Sequence, residues 1–287
     1  MIHIYADFYG LFRSVAHRNI GIVHGHRATK YLLAHRYIPS RFDGILIGDS
    51  TTGGIDPSHF TSYRIYNAAL PGGNISEGSI IANLAARDRV RFVIFGLSPE
   101  FTDSSGPKTR AMDKRTRRQA LGSLSTLQIQ IKRSMRKGRN REKISWAGYV
   151  SYCPDEILSN KRRNEIVAEA QTQPPIPFSI DDQGFSEFKS LLATLRSKRI
   201  KILAFFYPLP YNPDDLVNYY LQQYQETLSS LFLDSDIVLD FNDEKYFNLT
   251  KNYSNYCDGL HLDEFGAALV AKEIESQMAR FSPDILL

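Results

Sequence analysis

The sequence predicts an α/β protein built on a parallel sheet with helices on both faces. Three observations carry the prediction. Short apolar runs, such as Ile45-Leu46-Ile47, Phe92-Val93-Ile94-Phe95 and Ile237-Val238-Leu239, read as strands buried on both sides. Segments of helical period lie between them, and that alternation is the mark of βαβ units. The runs end in turn chemistry, Gly48-Asp49-Ser50, Gly96-Leu97-Ser98-Pro99 and Tyr207-Pro208-Leu209-Pro210. A chain of 287 residues fits one large domain with an insertion. Hydrophobic residues make up 43% and charged residues 23%, enough apolar material for a sizeable core. The net charge of +4 is too small to imply nucleic acid.

In order along the chain, residues 1–40 are rich in aromatics and histidine and read as a leader packed on a main domain of 41–287. Residues 27–33 suit a short helix that Pro39 would stop. His3, His17, His24, His26 and His35 lack a carboxylate or cysteine at ligand spacing, so no metal site is expected. The first strand is expected over 44–48 and the second over 63–67, the latter running into Pro71-Gly72-Gly73. Ser76 and Ser79 open a helix to about 88, with Ile80, Ile81, Leu84 and Ala85 on one face. The third strand follows at 91–95.

An insertion of about 104–180 comes next. Its first part is dense in lysine and arginine, with Leu121, Leu124, Leu127 and Ile131 at helical spacing. That basic face is either simply solvated or attracts an anionic polymer, a lipid phosphate or an acidic membrane surface. Residues 144–180 read as irregular, and Trp146, Tyr149 and Tyr152 there suit either core packing or a glycan. The α/β pattern then resumes: a helix capped at Asp181-Asp182, a strand over 200–206, a helix from Pro213-Asp214-Asp215, a strand over 237–240, and a last helix opened by Asp263-Glu264. Cys153 and Cys257 leave a single bridge open, with two buried thiols as the expectation. No apolar run is long enough for a membrane span, and Met1 to Asp7 does not resemble a signal peptide.

The chemistry gathers at strand ends. Gly48-Asp49-Ser50 puts a hydroxyl at the carboxyl edge of the sheet, where open α/β sheets bind ligands. Asp258-Gly259-Leu260-His261 lies just before the last helix, at the same edge. An alkoxide nucleophile needs a base, and the base needs an orienting partner. Ser50, His261 and Asp258 supply those three types. The N–H groups of Ser50 and Gly72 are candidate oxyanion donors, and Ser98 is a candidate pocket residue.

These residues resemble the SGNH/GDSL esterases. Gly48-Asp49-Ser50 is similar to the family's first block, Asn67 through Gly72 to its second, and Asp258-Gly259-Leu260-His261-Leu262 to its last. The resemblance covers 43–280 apart from the insertion. It implies a flavodoxin-like three-layer αβα sandwich with a five-stranded parallel sheet. It also implies an acyl-carrying Ser50 with Asp49, Gly72, Asn74 and Ser98 around the substrate, and no metal or organic cofactor. The family's third block, Gly-x-Asn-Asp, is absent; Gly96-Leu97-Ser98-Pro99 stands there without the Asn that donates to the oxyanion. That departure, with 27–50, 67–74 and 95–97, looks more like the branch tied to polysaccharide O-acetylation, similar to alginate O-acetyltransferases and teichoic-acid D-alanyl transfer proteins. Resemblance to that branch implies an acyl donor, a polysaccharide acceptor, a membrane-bound acyltransferase partner, and a place outside the cytoplasmic membrane.

Two other classes fit parts of the sequence. A non-catalytic carbohydrate-binding or scaffold relative would also tolerate the missing Asn. A flavin module is suggested by Ser50-Thr51-Thr52-Gly53-Gly54, which resembles a flavodoxin phosphate loop. The flavin reading leaves Asp258 and His261 without a role.

Overall fold

Five short strands carry the fold: β1 Gly44–Ile47, β2 Ile65–Asn67, β3 Phe92–Leu97, β4 Lys201–Phe206 and β5 Ile237–Asp240. The computed structural model describes residues 25–108, 110–121, 145–153, 159–172 and 177–281, and the backbone of 20–21 and 143–144. The strands pair in the order β2-β1-β3-β4-β5, all parallel, with Ile45 opposite Tyr66 and Val93, and Leu203 opposite Ile94 and Ile237. This is the flavodoxin-like order, whose switch point lies between β1 and β3.

Strand alternation sorts the apolar side chains into two cores. Ile45, Ile47, Val93, Phe95, Leu97, Ile202, Ala204 and Phe206 face one way. They meet α1 (His26–Ala34), α2 (Ile75–Ala85), α4 (Asp182–Ser197) and α5 (Asp215–Ser229). Leu46, Ile94, Leu203, Phe205 and Leu239 face the other way, against α6 (Glu264–Met278). The result is a three-layer αβα sandwich. Phe188 of α4 is fully buried, edge-on to Phe95 and Phe232 at ring separations of 5.0 and 6.0 Å. Its loss to alanine would cost about 3–5 kcal/mol.

The helix starts follow side-chain capping. Asp181, Asp214 and Asp263 each accept a backbone N–H at the head of α4, α5 and α6. Asn74 caps α2, so that helix opens ahead of Ser76. Pro39 does not stop the first helix. It sits in the first turn of a separate helix, Tyr37–Arg41, where a missing N–H costs nothing.

Part of the segment expected to be irregular folds as α3, Asn160–Ala170. Of its residues only Val167 is buried, so no apolar stripe announced it. A two-stranded antiparallel ribbon joins Ile20–Gly21 to Lys143–Ile144. Leu124, Leu127 and Ile131 of the basic segment lie outside the described residues; the described part holds a short helix, Lys114–Ala120, capped by Asp113. The cysteines correct the expectation of free thiols: Cys153 and Cys257 are bridged, with Cα atoms 5.5 Å apart. The insertion returns over the carboxyl edge of the sheet and brings two residues 104 positions apart together, which spacing in the sequence does not reveal.

Candidate active site

The end of β1 turns sharply into a single helical turn, Ser50–Gly53. Asp49 caps it, its carboxylate accepting from the Thr51 N–H at 2.9 Å and the Thr51 hydroxyl at 2.6 Å. Asn67, at the end of β2, closes the far side. Its amide donates to the carbonyls of Thr52, Gly53 and Ile55 at 2.8 to 3.2 Å. Beneath the turn, a Cβ on Gly48 or Gly96 would come within 2.3 and 2.0 Å of the Thr52 hydroxyl oxygen. Glycine at both strand ends lets Thr52 drop between them and seats the turn.

The residues from Asn255 to Asp263 form the opposing loop. It is closed by Asp263 N–H to Asn255 O at 2.7 Å and by Cys257 N–H to His261 O at 2.9 Å. The bridge to Cys153 ties it to the insertion. Tyr207, just past β4, accepts from the Leu262 N–H at 2.8 Å and donates to the Leu260 carbonyl at 3.2 Å. Burial drives the Tyr207 hydroxyl well above its ordinary pKa, so it keeps its proton for this double role. Arg163 of α3 reaches the cap of α6, bonding Asp263 at 2.6 Å.

These two loops bring three predicted residues together. His261 Nε2 lies 2.9 Å from Ser50 Oγ, and His261 Nδ1 lies 2.8 Å from Asp258 Oδ2. The second Asp258 oxygen accepts the Leu260 and His261 N–H groups at 2.8 and 2.6 Å, which fixes the carboxylate plane. Burial raises the Asp258 carboxyl, but the bonds from His261 and the two N–H groups outweigh it and hold the group below its ordinary pKa. Burial likewise pulls the His261 imidazole down. The hydrogen bond and charge of Asp258, with the charges of Asp49 and Glu100, overcome this and leave it above 6.5. Such a serine, base and orienting acid can move a proton off an attacking hydroxyl and return it to a leaving group.

Other predicted residues are placed differently. Ser98 is 1% exposed, donates its hydroxyl to the second Asp49 oxygen, and caps the turn Pro99–Thr102. It therefore supports the turn that carries Ser50 and does not line a pocket. Asn74 is fully buried, accepting from the Glu77 N–H at 3.1 Å and donating to the Gly106 carbonyl at 2.9 Å. It is a buried helix cap, not a residue exposed to substrate. Asp49 is buried, its oxygens taken by Thr51 and Ser98. Gly72 has a φ of +52°, a conformation that favours glycine. Among the described residues, neither the Ser50 N–H nor the Gly72 N–H donates to a protein acceptor.

Sequence reasoning gave Tyr152 only a general aromatic role, and Glu100 none. Tyr152 stacks on His261 at 5.4 Å with planes 16° apart. It comes from the segment next to the bridged Cys153, and only the fold could show the pairing. Trp146 packs flat on Phe42 at 5.6 Å, at the β2 edge. Glu100 is exposed near His261 and Asp49; partial burial and the Asp49 charge raise its pKa. Among the described residues no group of three or more His, Cys, Asp or Glu is set to hold a metal ion.

No protein-family model matches the chain, and no curated protein matches it in sequence. Several solved structures are similar to it, and two of them align over most of its length. One, from Streptococcus pneumonia and provisionally named a platelet activating factor, aligns with a TM-score of 0.47 and 11% identity, over 88% of this chain and 91% of its own. The other, from Bacteroides fragilis and provisionally named an acylhydrolase, aligns with a TM-score of 0.39 and 12% identity, over 83% of this chain and 86% of its own.

Proposed function

We propose that the protein is a serine acyl-ester enzyme that moves an acetyl group onto, or off, a cell-surface or exported polysaccharide. The observation that carries the reading is the relay from Ser50 through His261 to Asp258 at the switch point of the sheet. His261 takes the proton of Ser50 as Oγ attacks the acyl carbonyl. The oxyanion of the tetrahedral intermediate is held by the N–H groups of Ser50 and Gly72. His261 then passes its proton to the leaving alcohol, and an acyl-Ser50 ester remains. In the second half, His261 deprotonates a sugar hydroxyl or water, which attacks that ester and regenerates Ser50. Asp258 keeps Nδ1–H pointed at itself and stabilises the transient imidazolium.

The polysaccharide part rests on the sequence resemblance and on the absent third-block Asn. A place outside the cytoplasm is supported by the Cys153–Cys257 bridge, since such bridges persist in oxidising compartments. The test is intact mass after incubation with p-nitrophenyl acetate, with nitrophenol release followed alongside. The parent should gain one acetyl group or turn over, and Ser50→Ala should do neither while staying folded. His261→Gln should be nearly as damaging, a loss on the order of 10⁴ to 10⁶ in kcat. Equal activity in Ser50→Ala would end the reading. Candidate glycans added to the acetylated enzyme then separate transfer from hydrolysis.

A further inference from the structure

The loop that follows β2 is held from outside at three points. The Leu70 N–H donates to the Gly48 carbonyl at 2.9 Å, just ahead of the nucleophile. Lys30 Nζ donates to the Ala69 carbonyl at 2.6 Å. Arg27 Nη2 donates to the Gly72 carbonyl at 2.9 Å, while its Nε is held by both oxygens of Glu77 at 2.8 and 3.0 Å. Both cations come from α1, one turn apart, and lie on one face of that helix. Glu77 is fully buried in the first turn of α2 and also accepts from the Lys108 N–H at 3.2 Å.

A fully buried lysine is costly, and among the described residues this one has a single hydrogen-bond acceptor, a backbone carbonyl, and no carboxylate partner. A residue needed only for packing at that place would be a methionine or leucine. The Arg27 bond is charge-assisted, as is that of Lys30 while it carries its proton; such bonds are roughly twice as strong as neutral ones and fix the peptide planes they meet. The Ala69–Leu70 peptide links Lys30 to the Gly48 carbonyl, and the Gly72–Gly73 peptide links Arg27 back to the Leu70 carbonyl through the Gly73 N–H at 2.8 Å. Hydrogen-bond chains of this kind strengthen one another. The two cations therefore act on the loop that carries the Gly72 N–H. The side chain at the third-block position, Ser98, is committed to Asp49 and cannot donate to an oxyanion.

We infer that Arg27 and Lys30 of α1 are positioning residues of the acyl-transfer site, clamping the oxyanion loop in place of the donor that the third strand end lacks. The inference rests on the acyl-ester reading above. It makes the leader helix part of the catalytic apparatus and not merely a packed cover. The cations touch no substrate. They act through Ala69 and Gly72, so they should govern the rate of the chemical step more than substrate affinity.

The experiment measures kcat and KM with p-nitrophenyl acetate for the parent, Ser50→Ala, Lys30→Met, Arg27→Gln and Arg27→Lys, with the thermal midpoint of each. The rate at which a fluorophosphonate labels Ser50 is measured in parallel, because its phosphoryl oxygen occupies the oxyanion position. Lys30→Met and Arg27→Gln should each lower kcat and the labelling rate about 10- to 100-fold with KM within about twofold. Arg27→Lys should recover part of the loss, since it keeps a cation but not the fork. A purely structural role would lower the midpoint and leave kcat per folded molecule unchanged. If the Lys30 variant fails to fold, Arg27, at 21% side-chain exposure, decides the matter alone. Turnover within twofold of the parent in the folded variants, with Ser50→Ala inactive, overturns the clamp and leaves the acyl-ester reading standing. A parent with no Ser50-dependent acetylation or labelling overturns both.

Discussion

The two halves of the candidate site are held by different forces. The loop from Ala69 to Gly73 is fixed by charge: Lys30 and Arg27 on its carbonyls, with Glu77 behind Arg27. The loop from Asn255 to Asp263 is fixed mostly by covalent and neutral contacts, the Cys153 bridge, the Tyr207 hydroxyl and the ring of Tyr152, with one ion pair, Arg163 to Asp263, at its end. A charge-held loop responds to pH and to removal of a single cation. A bridge-held loop responds to reductant and to loss of packing. The two sides of the candidate site should therefore fail under different conditions, and that difference can be tested one contact at a time.

Among the groups that hold the site in place, the largest effect is expected on the base side, from Asp258→Asn. The amide leaves the loop in place but offers an N–H to Nδ1, which favours the wrong tautomer. The equivalent change in a well-known serine protease costs about 10⁴ in kcat. The pH profile adds a sign. His261 stands above 6.5 because Asp258 bonds it and charges it, against the pull of burial. The parent's kcat/KM should rise with pH as the imidazole loses its proton, with a midpoint above 6.5. In Asp258→Asn both supports are gone, so the midpoint should drop below that of the parent. A midpoint that stays put would mean that the limb belongs to another group.

On the charge-held side the test is stability against pH. Burial lowers Lys30 from 10.5 to about 7. Between those values the unfolded chain carries a proton that the folded chain does not, so the folded state gains stability as pH rises through this window, and there Lys30 holds the Ala69 carbonyl as a neutral amine while Arg27 remains the charged point of the clamp. Below about 7 both states are protonated, and the fold bears the full cost of a buried ammonium, a few kcal/mol. Chemical unfolding of the parent between pH 7 and 10 should show this rise, and Lys30→Met should lack it. An identical slope in both proteins would mean that Lys30 is not dehydrated. Removing the charge also strands the Ala69 carbonyl, about 1–3 kcal/mol, which opposes the gain at neutral pH.

How much of this the sequence shows follows from what each force leaves as a trace. Strand runs such as Phe92 to Leu97 are apolar without interruption, so all five strands and their order of appearance are legible. Ser50, Asp258 and His261 sit in short local patterns beside strand ends and helix caps, so their meeting can be anticipated. Lys30 cannot be read this way. In the chain it is one lysine among ordinary helix residues, and its burial depends on how α1 lands against the loop after β2. Ser98 and Asn74 misled for a related reason. A polar residue at a strand end can face substrate or cap the next turn, and the side chain's partner decides. The bridge between Cys153 and Cys257 depends on the insertion's path, which composition does not encode. α3 was hidden because its faces are nearly all polar.

The covalent side has its own stability test. Closing a loop of 104 residues removes unfolded-state entropy, and a bridge of this kind contributes about 2–4 kcal/mol. The paired change of Cys153 and Cys257 to serine should lower unfolding free energy by that amount. The reduced parent should behave likewise, while the Lys30-dependent slope with pH stays the same. A paired variant as stable as the parent would mean that the bridge does not form or constrains nothing.

The smallest expected effect separates holding from chemistry at His261. Tyr152 lies nearly parallel to the imidazole and covers Gly53, where an added Cβ would meet its ring at 2.7 Å. A stacked aromatic pair contributes about 0.5–1.5 kcal/mol beyond its buried area. Tyr152→Phe keeps the ring and should leave kcat within about twofold of the parent. Tyr152→Ala removes it, letting the imidazole swing while its bond to Asp258 persists, and a loss of roughly 2- to 10-fold in kcat is expected from that energy. The sharper outcome is the interaction with the bridge. If Tyr152 is what the bridge delivers to the site, reducing Cys153–Cys257 should cost the parent activity but cost Tyr152→Ala little more. Independent, additive losses would show instead that the bridge acts on His261 through the backbone of its own loop, by the Cys257 N–H to His261 O bond.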